Sequence, residues 1–183
     1  RRSRIRFDHA RLNGAAARNH FTDTNDKALE ARLLVGLGEM ERLAGRLDEA
    51  RGVFERALAL GKTAQSLGAM ADALKGRGHI ETAKGRNRQA REAMKEAYGH
   101  YQNTGDARDQ AETLMDLGQL DLLMENPDRA RVNFVSARTM YRGLRDLAQE
   151  AGAVRAIGDL EALQDKLPQA QMAYAEARGL FQQ

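Results

Sequence analysis

The chain has 183 residues, 42% of them hydrophobic and 30% charged, with no cysteine, a balance that excludes an intrinsically disordered polypeptide and any disulfide or thiolate-metal framework. No stretch approaches the roughly 18 uninterrupted apolar residues of a membrane helix, and Arg1-Arg2-Ser3-Arg4 has no apolar region behind it of the kind a signal peptide carries. The net charge of +3 is unevenly placed: residues 1–20 hold six arginines and one aspartate, a local +5 that leaves the rest of the chain at −2, so no basic face runs the length of the molecule as in a nucleic-acid-binding array.

The first predicted element, residues 1–23, carries Ala10, Gly14, Ala17 and Phe21 at helical spacing. This is the phase that Ala50, Phe54, Ala57 and Gly61 occupy further on, so it reads as the second helix of a repeat whose first helix is missing. The chain also starts without methionine, and on this reading it is a fragment of an array that continues upstream. Four complete repeats are predicted after it, at 24–63, 64–103, 104–143 and 144–183.

The period is 40 residues. Alanine recurs at 31, 71, 111 and 151, and glycine at 38, 78, 118 and 158. A bulky residue stands four before each glycine (Leu34, Leu74, Leu114, Val154) and an apolar one two after it (Met40, Ile80, Leu120, Leu160). Twelve residues past each glycine comes Ala50, Ala90, Ala130 or Ala170, then Phe54, Met94, Phe134 or Tyr174, then Ala57, Ala97, Ala137 or Ala177. Offsets of three, four and seven put each set on one helix face, so every repeat is a pair of amphipathic helices. Small residues in both stripes let the backbones approach, and the large residue between the alanines fills the space they leave. Asp26, Ser66, Asp106 and Asp146 fall just before each first helix, where a short oxygen side chain caps free amides. Gly45-Arg46-Leu47-Asp48, Gly85-Arg86-Asn87-Arg88, Glu125-Asn126-Pro127-Asp128 and Asp165-Lys166-Leu167-Pro168 read as the turns between paired helices, both prolines included.

Leu34-x-x-Leu37-Gly38 followed by Ala50-x-x-x-Phe54-x-x-Ala57 resembles the tetratricopeptide-repeat pattern, and the match covers nearly the whole chain. The 40-residue period, against the usual 34, is similar to the long-helix subclass found in cell-polarity adaptors and bacterial signalling regulators. Leucine or valine replaces the family's tryptophan, and Glu41, Glu81, Asp121 and Glu161 replace its tyrosine. The resemblance implies an all-α, right-handed α-solenoid of antiparallel helix pairs, about nine helices in all.

The recurring acid three residues after each glycine faces, across a helical hairpin, an arginine ten residues on. The expected ion pairs are Glu41 with Arg51, Glu81 with Arg91 and Asp121 with Arg131, with Gln171 opposite Glu161 breaking the series. Such pairs on an exposed hairpin contribute about 0–1 kcal/mol each.

In stacks of this kind the first helices line the concave side, and residues beside their packing stripe face the groove. These are Arg32, Val35, Glu39 and Arg42; Asp72, Lys75, His79 and Thr82; Glu112, Met115 and Gln119; and Arg155 with Asp159. Both signs of charge and a little apolar surface suit an extended or helical peptide. Chaperone-binding members of the resembled family clamp a terminal carboxylate with lysine and asparagine, but the position four after Lys75 is His79, so that capture is not expected.

Catalysis finds no constellation. Of the four histidines, His9, His20 and His100 lie in second helices without a metal-binding partner at helical spacing, and no metal or cofactor is expected. Gly61-Lys62-Thr63 resembles the tail of a phosphate loop, yet Arg56 stands where the first glycine belongs and a helix precedes it, so it reads as an inter-repeat turn. Gly36-x-Gly38 and Gly76-x-Gly78 lack the strand and third glycine of a dinucleotide site. Glu92 and Glu96 fall on a solvated helix face without a cleft to raise either pKa.

The sequence thus reads as a non-enzymatic scaffold that holds a protein or peptide partner. The alternative is a regulatory or sensor domain of a larger signalling or transcriptional protein. Nucleic-acid binding through Arg1, Arg2, Arg4, Arg6 and Arg11 is disfavoured because no aromatic stacking platform accompanies them. Open ends offer surfaces for self-association, and the absence of cysteine permits a cytoplasmic location.

Overall fold

The computed structural model describes residues 26–182, all helix and short turns. The predicted helix over 1–23, with His9, His20 and the basic end, lies outside these residues. Eight α-helices occur among those described: α1 Lys27–Leu43, α2 Leu47–Thr63, α3 Leu67–Ala83, α4 Asn87–Thr104, α5 Ala107–Leu123, α6 Pro127–Gly143, α7 Leu147–Leu163 and α8 Leu167–Phe181. They fall into two compact units, α1–α4 ending at Thr104 and α5–α8 beginning at Gly105.

In the first unit α1 pairs with α2 and α3 with α4, while α2 also packs on α3 and α1 on α3. The core joins Leu34, Phe54, Leu58, Leu74, Ile80 and Tyr101 through the small residues Ala50, Ala57, Ala71 and Ala97. The ring of Phe54 explains the glycines. A methyl group on Gly38 would stand 2.7 Å from its Cε1, and one on Gly76 2.3 Å from its Cζ, so the ring fills the space that two neighbouring first helices leave open. Burying it contributes roughly 2–3 kcal/mol.

The second unit repeats the arrangement. Helices α5 and α6 pair, as do α7 and α8, and α6 packs on α7. Phe134 takes the place of Phe54: a methyl on Gly118 would lie 2.3 Å from its Cε1, and its other neighbours include Ala130 and Ala156. Tyr174 holds the same phase in α8 but is 40% exposed, where Phe54 and Phe134 are fully buried. Its ring still covers Gly158, and its hydroxyl donates to Asp159 at 2.9 Å.

The turns are shorter than the sequence suggests. Three residues separate paired helices, as at 44–46 and 124–126, and the residues expected to complete each turn already belong to the next helix. Pro127 and Pro168 therefore sit in the first turn of α6 and α8, where a missing amide leaves no hydrogen bond unmade. Gly61-Lys62-Thr63 is the last turn of α2, not a connection, and Thr63 Oγ1 donates to the Ala59 carbonyl at 3.0 Å.

Each turn closes in one way. The residue after the C-cap takes a left-handed conformation at Gly45, Gln65, Gly85, Glu125, Arg145 and Asp165, as does Gly105 directly after α4, with φ between 53° and 78°. Within the units, the amide that follows it donates to the carbonyl five residues back, as in Arg46 to Glu41 at 2.9 Å and Asn126 to Asp121 at 2.8 Å. This is the closure in which a left-handed residue satisfies the orphan carbonyls of a helix end. Caps at the opposite ends follow expectation in three of four places. Asp26, Asp106 and Asp146 accept from Leu29, Asp109 and Gln149 amides at 3.1, 3.1 and 3.2 Å, whereas Ser66 makes no side-chain cap bond.

Most residues of the expected hairpin ion pairs take other partners. Arg51 bridges Glu55 at 3.0 Å and Glu81 at 3.6 Å, and Arg131 binds Glu161 and Gln164, so both guanidinium groups reach forward into the following helix pair. Glu41 instead takes Arg46, Glu81 takes Arg86 as well as Arg51, and Asp121 accepts from Asn133 at 2.8 Å. The acids are also buried, all under 9% exposed, and not solvated. A carboxylate removed from water keeps its charge only near a cation or several donors, and an arginine side chain is long enough to bring one from the adjoining repeat.

Candidate functional site

The residues beside the packing stripe fall on α1 and α3 in the first unit and on α5 and α7 in the second. On α1, Arg32 is exposed, and Val35 is half-buried against the core that contains Leu34 and Leu74. Glu39 and Arg42 pair with each other at 2.8 Å one turn apart. On α3, Asp72, Lys75 and His79 are half-buried, and Thr82 donates to the Gly78 carbonyl at 2.9 Å. Because α1 packs on α3 and the sets are 40 residues apart, the first unit brings them onto neighbouring helices.

In the second unit Glu112 is half-buried on α5, Met115 packs on the Phe134 cluster and Gln119 is exposed. Arg155 is exposed on α7 and lies 3.5 Å from Asp159. The two charges are one turn apart in open solvent, and the pair contributes little to stability.

The hydrogen bonds made by the tyrosines escaped the sequence reading. Tyr101, from the last turns of α4, is 2% exposed and donates to Asp72 Oδ1 at 2.6 Å. Tyr174 does the same for Asp159, and that hydrogen bond, with burial, raises the Tyr174 phenol above its ordinary value. Two of the predicted groove acids are therefore fixed by a phenol from a second helix. Tyr141 stands 40 residues after Tyr101 and is equally buried. Burial first, then the charges of Glu112, Asp116 and Asp146, hold its hydroxyl protonated far above the usual range. The recurrence of tyrosine at 101 and 141 was the available signal, but its phase is shared by Gly61 and Phe181, which hides it.

Asp146 combines two roles: it caps α7 and accepts from Arg108 at 2.6 Å, a contact that raises the arginine further. Among the described residues no group of three or more histidines and acids is placed to hold a metal ion, and no helix is long and apolar enough to cross a membrane. Glu92 and Glu96 are exposed, as expected of a solvated face.

A tetratricopeptide-repeat family model matches residues 69–143. No curated protein matches the chain. Among solved structures, BtubC from P. vanneervenii superposes with a TM-score of 0.82 at 14% identity, over 96% of this chain and 74% of that one. A Rap protein complexed with Competence and Sporulation Factor superposes with a TM-score of 0.76 at 15% identity, over 98% and 52%. The Rap conjugation gene regulator of plasmid pLS20, in complex with the Phr* peptide, gives 0.70 at 16% identity, over 96% and 58%. The chain thus spans little more than half the length of these two Rap proteins. At such identities the likeness is one of fold.

Proposed function

We propose that this chain, whose helix pairs are tetratricopeptide repeats, is a protein-interaction scaffold that holds a partner peptide against the outward faces of its first helices. One observation carries the reading. Positions that pack recur every 40 residues, while the adjoining surface positions do not: Arg32, Asp72, Glu112 and Gly152 share one phase, Val35, Lys75, Met115 and Arg155 a second, and Glu39, His79, Gln119 and Asp159 a third. Repeated residues encode a fold, and a surface that changes from repeat to repeat encodes a distinct ligand pattern. The two Rap structures, whose bound factors are named above, support a peptide as the ligand class.

A second reading has its own support. The pLS20 protein is a gene regulator and this chain spans 58% of its length, which favours an array that serves as the sensing part of a longer protein.

The test is selection of a displayed peptide library on the immobilised chain, followed by affinity measurement against an Arg32→Glu, Arg155→Glu variant of unchanged helicity. We expect selected peptides to lose at least about tenfold in affinity, the range for removing one charged contact. Peptides that bind both proteins equally would move the contact to another surface and overturn the assignment of these faces.

A further inference from the structure

The forward reach of two arginines has a mechanical meaning. In the first unit Arg51 on α2 contacts Glu81 near the end of α3 at 3.6 Å; in the second, Arg131 on α6 contacts Glu161 near the end of α7. Both carboxylates lie thirty residues beyond their arginine and both occupy the third position from a helix end. The backbone there is pinned by the turn, since the Glu81 carbonyl accepts the Arg86 amide at 2.8 Å and the Glu161 carbonyl the Lys166 amide at 2.9 Å. The same basic residues approach the side chains, Arg86 at 3.2 Å and Lys166 at 3.9 Å. Each carboxylate is therefore gripped from two sides, by its own turn and by the second helix of the preceding repeat.

The apolar contact across the same boundary leaves one motion open. The ring of Phe54 lies against Gly76, and Phe134 packs on Ala156. A ring resting on a small residue fixes how closely two helices approach, yet resists pivoting about that contact only weakly. An ion pair one turn away, off the pivot, removes this freedom. The carboxylates are shielded, with side chains 7% and 11% exposed, so an unpaired one is costly; the arginines are 42% and 32% exposed and remain open to competing anions.

We propose that Arg51 and Arg131 are inter-repeat clamps, a conformational device that fixes how α3 stacks on α2 and α7 on α6 and whose release loosens one repeat from the next without melting either helix pair. The device stands apart from the proposed binding faces, since neither arginine nor either carboxylate belongs to them.

Amide hydrogen exchange on the full chain tests it. In Arg51→Gln, exchange in residues 67–83 should accelerate by about tenfold or more while residues 27–43 keep their protection, and Arg131→Gln should do the same to 147–163 and spare 107–123. Adding Glu81→Gln to Arg51→Gln should change exchange in residues 67–83 by much less than the sum of the two single effects, because the contact that both substitutions remove is the same one. Equal acceleration in α1 and α3, no acceleration, or fully additive effects of the two substitutions would each overturn the clamp. If Arg51→Gln does not fold, Arg51→Lys, which keeps the charge and shortens the reach, is read by the same criteria.

Discussion

Single residues here are constrained by what they touch, and glycine shows it best. A methyl group at Gly76 would stand 2.3 Å from a ring that is itself fully buried, so neither side can yield cheaply. Gly76→Ala should therefore lower stability by about 1–3 kcal/mol, measured by thermal or urea unfolding. Gly36, in the same kind of helix, has nothing within 4 Å of the added atom, and Gly36→Ala should raise stability by about 0.5–1 kcal/mol through helix propensity alone. At Glu161 the Arg131 hydrogen bond holds the carboxyl below its ordinary value. A group depressed in the folded state stabilises above its unfolded pKa, and that contribution is lost as pH falls through the folded value. Urea midpoints should thus drop in acid below the normal carboxylate range, and Arg131→Gln should flatten part of that drop; an identical pH profile in the variant would count against the attribution.

For a whole helix, the ends decide most. Asp106→Ala removes an acceptor from the first turn of α5 and should cost about 1 kcal/mol, while Ser66→Ala, where no cap bond exists, should cost almost nothing. Differential unfolding of the two variants checks this directly. Arg145 holds a left-handed conformation, with φ of 55°, and Arg145→Gly should gain about 0.5–1 kcal/mol, the relief of backbone strain less the added freedom of the unfolded chain. Helix pairing was legible because alanine, glycine and a large residue recur in one register. The left-handed positions were not, since glycine, glutamine, glutamate, arginine and aspartate all serve there and only the spacing is shared. The direction of the arginines was equally hidden: Arg51 stands ten residues after Glu41 and thirty before Glu81, and sequence spacing along one hairpin favours the nearer acid, whereas a long side chain reaches the farther one.

For the molecule as a whole, the all-helical repeat architecture followed from the period, but the tyrosine anchors of Asp72 and Asp159 did not, because they join paired helices at two different spacings, 29 and 15 residues, and their phases are occupied by other residues elsewhere. Charge distribution gives a prediction at this scale. With +5 confined to residues 1–20 and −2 elsewhere, a chain trimmed of those residues should lose retention on immobilised DNA at low salt, and the intact chain should show only a shallow salt dependence. A steep dependence that survives trimming would reveal a basic surface that net charge conceals.

The uniform joints carry one more consequence. Left-handed residues recur every twenty positions from 45 to 165, and their geometry rests on backbone hydrogen bonds more than on any one side chain. Length is thus an inheritable variable separate from shape: an in-frame duplication of residues 27–66 would arrive with its joints at 44–46 and 64–66 already made, so unequal exchange between gene copies can lengthen such a protein by forty residues in a single step.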